Sequence, residues 1–129
     1  LKLVDHVALV LDIHHHWIRD EEYIQPNDDR VKMVIDSWRG VRPAMHYSLC
    51  RPEYLKGHRQ DVRPDMEKLL EQGYKKQKLR AHSDFCWNDA CNEWALSHWE
   101  WADIMVEAKC KNLASVQLLK QSNIEMKAA

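Results

Sequence analysis

Residues 11–17 read LDIHHHW: an aspartate and three consecutive histidines follow directly on the apolar run Val7-Ala8-Leu9-Val10-Leu11. A purification tag does not explain them, because tags are longer histidine runs and do not grow out of a Leu- and Val-rich strand. That leaves a solvated loop or a metal site. The apolar run predicts a buried strand over Val7–Ile13, with His14, His15 and His16 just past its end. On a regular strand Asp12 and His14 face one side and His15 the other. Asp12 and His15 converge only if the strand stops near Ile13 and turns, and the pattern alone does not choose between His14 and His15.

The same arrangement recurs down the chain. RPAMHY, Arg42–Tyr47, follows a glycine-containing break and carries His46; QKLRA, Gln77–Ala81, runs into His82; DIMVE, Asp103–Glu107, ends on Glu107. Each predicts a short strand. Helical spacing lies between them. Val31, Val34, Ile35 and Trp38 fall at i, i+3, i+4, i+7 within Asp28–Trp38, with Asn27 or Asp28 as N-cap. Asp65–Gln72 carries Met66, Leu69 and Leu70, and Gly73 suits its stop. Asn88–Trp101 and Asn112–Met126 complete the helices, and residues 50–64, with two prolines and a glycine, read as a long loop. Strands alternating with helices predict an α/β domain with a parallel sheet of βα units. Four strands in 129 residues make about half of a TIM (β/α)8 barrel, which takes roughly 250 residues. We therefore expect one domain, residues 1–129, forming a half-barrel.

Composition sets bounds. A formal charge of −1 supplies no global field towards nucleic acid or membrane, and the longest apolar run is far shorter than the roughly 20 residues that span a bilayer. The four cysteines show neither Cys-x-x-Cys spacing nor the density of a disulfide scaffold. They predict a reduced, cytoplasmic setting. The chain begins at Leu1 rather than Met and reads as cut at its N-terminus.

In parallel α/β folds, chemistry collects at the C-terminal ends of strands. The histidines after Asp12, then His46, His82 and Glu107, occupy all four predicted ends. Imidazoles with carboxylates suit a divalent transition metal, and the carboxylates shift the balance towards Mn, with Zn, Mg or Co as alternatives. In an open cleft such an ion keeps water bound, lowers its pKa and polarises a phosphoryl or carbonyl oxygen. Single histidines such as His6, His58 and His98 read as ordinary side chains. Trp38, Trp94, Trp99 and Trp101 sit at helical spacing and read as core, whereas Trp87 is the better substrate contact. The basic stretch Tyr74–Arg80, YKKQKLR, reads as a solvated connection, with phosphate contact as the alternative. No glycine-rich phosphate loop and no nucleophile elbow is present.

Taken together, LDIHHHW, SWRGVRPAMHYS, KLRAHSDFCWN and DIMVEAKCKNLA resemble the C-terminal half of the UV damage endonuclease (UVDE) family, within the xylose isomerase-like TIM barrels that include endonuclease IV. The similarity runs from about Val7 to Leu118, with the motifs in family order. It implies metal ligands at Asp12, His15, His46, His82 and Glu107, and so selects His15 over His14. It implies repair incision of damaged double-stranded DNA beside the lesion, with two or three divalent ions, often Mn, activating water and stabilising the leaving oxygen. Tyr47, Arg80 and Lys109 lie near the matched motifs and are candidates for phosphate contact. Ala44 stands where some relatives carry a metal-associated lysine. The resemblance also implies a missing N-terminal half-barrel. Without it the strands at Val7–Ile13 and Asp103–Glu107 present open edges, which invite pairing with another chain, and activity of the half alone is expected to be poor. Two rivals are a sugar isomerase or epimerase of the same superfamily and a non-catalytic remnant. A wide basic groove favours DNA, and a closed tryptophan-lined pocket favours sugar.

Overall fold

A computed structural model describes residues 7–52, 55, 58–108 and 112–128, apart from the side chains of residues 112 and 123–128. Three short parallel strands, β1 (Leu11–Asp12), β2 (Ala44–Tyr47) and β3 (Asp103–Val106), form a sheet in the order β1-β2-β3. The helices are α1 (Ile13–Asp20), α2 (Asp29–Ser37), α3 (Met66–Glu71), α4 (Lys76–Leu79), α5 (Asp89–Ser97) and α6 (Asn112–Ala128), with one 3-10 turn at His98–Glu100.

Local sequence explains the helix starts. Asp28, Asp65 and Asn88 adopt extended backbone, and each side chain accepts a hydrogen bond from a first-turn amide of α2, α3 or α5, satisfying donors the helix leaves open. Asp12 does the same for α1, its carboxylate taking the His15 amide at 2.9 Å. Gly73 follows α3 at φ 92°, a left-handed conformation that glycine adopts without a Cβ penalty.

Register decides which side chains share a face. Leu11 pairs with Met45 and Met45 with Ile104, while Asp12 pairs with His46 and His46 with Met105. Strand alternation turns Met45 and Tyr47, both fully buried, towards the helices. There they join Ile13, Val31, Val34, Trp94, Trp101, Ala114 and Leu118 in the main core. The other face carries Asp12, Ala44, His46, Met105 and, one residue past β3, Glu107. This face is open: Met105 is 52% exposed. A second apolar cluster under the long loop joins Trp17, Ile18, Cys50, Leu55, Met66, Leu69 and Leu79.

Buried polar groups are bonded in networks. The fully buried His98 accepts the Trp101 indole N–H on Nδ1 at 2.9 Å, so its Nε2 carries the proton and donates it to the Ile24 carbonyl at 2.9 Å. Asn92 accepts the Tyr47 hydroxyl at 2.6 Å and donates to the Cys86 carbonyl and to Gln121. Cys50, Cys86 and Cys91 are buried free thiols, and burial pushes Cys50 and Cys86 up to about 12.

Three expectations are corrected. The first strand is Leu11–Asp12 and not Val7–Ile13; Val7 and Val10 are half exposed, and the Asp12 cap starts a helix at Ile13. His14, His15 and His16 consequently lie on a helix rather than a loop. Gln77–Ala81 is no strand: Lys76–Leu79 is a single helical turn. With β3 hydrogen-bonded directly to β2, the sheet has no slot for it, and its one large apolar residue, Leu79, is buried on the helical turn instead. Trp99 is 41% exposed, whereas Trp94 and Trp101 are core.

Candidate metal centre

Asp12, His46 and Glu107 meet on the open face. Asp12 and His46 are register partners on neighbouring strands. Glu107 continues the β3 line, its amide bonded to the Tyr47 carbonyl at 2.8 Å. One ligand-type atom from each of the three lies within 4.8 Å of the others. His46 Nδ1 is in direct contact with one Glu107 carboxylate oxygen, and His82 Nε2 stands 3.8 Å from the other. His82 is held there by an isolated antiparallel bridge to Cys50 and by the Ser83 amide bonded to the Leu49 carbonyl at 2.9 Å. It therefore reaches the strand ends without being on a strand.

His15 is not in this group; its ring is exposed on the first turn of α1. His14 is the neighbour that turns inward. It is 5% exposed and packs edge-on to His82 with ring centroids 6.1 Å apart. Its Nε2 is buried and unpartnered, as is Ser48 Oγ. Burial lowers the His14 pKa to about 4, opposed by the Asp12 carboxylate, so the ring is neutral at pH 7.

The remaining candidates are dispersed. The Tyr47 hydroxyl is buried on Asn92, which removes it from any phosphate contact. Trp87 is half-buried, donates its indole N–H to the Cys50 carbonyl at 2.8 Å and meets His58 edge-on. Arg80 is exposed at the end of α4. Lys109 lies outside the described residues.

Sequence reading missed a second grouping, His16 with Asp20 and Glu22. The His16–Asp20 i, i+4 spacing was its signal, hidden while the segment was read as a loop. Here both imidazole nitrogens are engaged, at 3.1 Å by Asp20 and 2.7 Å by Glu22. Arg30 also lies 2.6 Å from Glu22. The Arg30 guanidinium and the His16 ring hold Glu22 below the usual carboxylate range. This is an ion-pair network joining α1 to α2, with an arginine already serving as its cation.

The first grouping fits a divalent ion better. Oxygen and nitrogen ligands sit about 2.0–2.2 Å from such an ion, so their mutual spacing tops out near 4.4 Å, close to the 4.8 Å within which these three ligand atoms all lie. Its donor set, two carboxylates and one or two imidazoles, suits Mn, Zn or Co.

A parallel α/β sheet bearing histidines and carboxylates at its strand ends defines a class in which strand termini form the site. Within that class the assignment is specific: the UV-endonuclease UvdE family profile matches residues 3–128, and the chain belongs to that family. No curated protein and no solved structure gives a significant match. No described helix is long and apolar enough to cross a membrane.

Proposed function

We propose that the chain is the C-terminal half-barrel of a metal-dependent DNA repair endonuclease that hydrolyses a phosphodiester bond beside UV-damaged bases. The supporting observation is the convergence of Asp12, His46 and Glu107, with His82 alongside, on the open face of a parallel sheet in a UvdE-family chain. Asp12, His46 and Glu107 would hold the ion, with His82 as a further ligand; Mn fits the oxygen-rich set. Such an ion polarises a phosphoryl oxygen and acidifies water. His15, implied as a ligand by family resemblance, would have to swing in from the exposed side of α1.

The open face and the free edges of β1 and β3 are closed, in this reading, by further βα units or by a second copy of the chain. Asp12, His46 and Glu107 are only half-buried on the sheet face, and the tryptophans Trp17, Trp94 and Trp101 are committed to the core rather than lining a closed pocket, which favours a polymer over a sugar. The test is nicking of UV-irradiated supercoiled DNA with Mn2+. Weak nicking of irradiated over unirradiated DNA, abolished by EDTA and by Glu107→Gln, supports the reading. Equal nicking by the Glu107→Gln chain contradicts it.

A further inference from the structure

Between Glu71 and Asp84 the chain carries Lys75, Lys76, Lys78 and Arg80 and no acidic residue. Lys76 is engaged by Glu21 at 3.0 Å. Lys75, Lys78 and Arg80 are exposed, and none forms an ion pair with a described residue. A solvated helical turn in a chain of net charge −1 would be expected to intersperse its charges; this one does not.

The turn is also fixed in place. Leu79 is fully buried in the second apolar cluster, and the nearby α1 residue His14 packs on His82. Lys75 is the N-cap of this turn, in extended backbone, and Lys78 lies three residues on, within the turn. Arg80 is two residues from His82, so their Cα atoms lie within about 7 Å, about two nucleotide rises along one DNA strand at about 3.4 Å each.

We infer that Lys75, Lys78 and Arg80 form a phosphate track that binds the DNA strand immediately beside the Asp12–His46–Glu107 cluster. This rests on the DNA-directed reading above. A phosphate seated at His82 has its neighbours along the strand within reach of Arg80 and then of the α4 turn. The chain's near-zero total charge therefore hides a local cationic strip at the mouth of the site.

The test is binding of a short fluorescein-labelled DNA duplex by anisotropy, across a salt series and in EDTA, so that the track is read without the metal. The full chain should bind at low salt, with log K falling linearly against log salt. Lys75→Ala/Lys78→Ala/Arg80→Ala should lower the magnitude of that slope by about 2–3, about 0.9 per lost phosphate contact, and weaken low-salt binding at least tenfold. Lys32→Ala, on exposed α2, should leave the slope unchanged. Unaltered melting temperature of the triple variant checks its fold. Binding with an unchanged slope in the triple variant overturns the track alone. No salt-dependent binding by the unmutated chain overturns the track and the DNA-directed reading together.

Discussion

Two histidines govern acid stability at the level of single residues. Burial holds His14 down to about 4 and also lowers His98. In the unfolded chain each takes up a proton near pH 6.5. Stability is therefore full above about pH 6.5 and is lost as pH falls towards 4, by up to about 3 kcal/mol for His14. Urea melts of the metal-free chain at neutral pH and near pH 4.5 check this, and His14→Phe should flatten the acid limb. His98→Ala leaves the Trp101 indole N–H unpaired and removes one donor from the Ile24 carbonyl. Each unsatisfied buried group costs about 1–3 kcal/mol, so a loss of about 3 kcal/mol in the same assay is expected. His98 shows what a single sequence conceals. It looked like an ordinary surface side chain, and only tertiary packing against Ile24 and Trp101 makes it structural.

Asp12 caps α1 and, in the proposed function, also holds the ion; within this one element, substitution separates the two. As the N-cap of α1 it satisfies the His15 amide, and Asp12→Ala should cost about 1 kcal/mol. Asn caps as well as Asp, so Asp12→Asn should keep stability within about 0.5 kcal/mol while weakening Mn2+ affinity more than tenfold, as measured by calorimetric titration. The caps at Asp28, Asp65 and Asn88, the strand containing His46 and the strand leading into Glu107 were legible because their signals are local. Two elements were not. Val7–Val10 is apolar but pairs with no described strand, Leu9 bonding instead to the Ser37 hydroxyl and the Trp38 indole, and Gln77–Ala81 has one large apolar residue and no partner slot in the sheet. Strand identity there depends on what lies alongside, which no run of residues encodes. The pattern left His14 and His15 open and the family resemblance chose His15; on the helix that starts at Ile13, His14 packs inward and the His15 ring is exposed.

Across the molecule, the convergence of Asp12, His46, Glu107 and His82 at the parallel strand ends was legible in the sequence, although His82 arrives from a loop. The half-barrel reading leaves apolar surface to cover. A groove of about 240 Å3 between β3 and α6 is lined by Trp99, Ile104, Val106, Leu118 and Leu119. Leu113, Val116 and Leu119 are about half exposed or more. Sedimentation velocity should show concentration-dependent self-association of the chain. Leu119→Glu should reduce it while changing the unfolding free energy by no more than about 0.5 kcal/mol, as for other exposed positions.

The central claim is that Asp12, His46 and Glu107 serve one shared cation. Crystals grown with Mn2+ and measured for anomalous scattering test it most directly. The account predicts a peak within about 2.2 Å of the Asp12 and Glu107 carboxylates and the His46 imidazole. A map with no peak there, or with manganese bound instead among His16, Asp20 and Glu22, would contradict it.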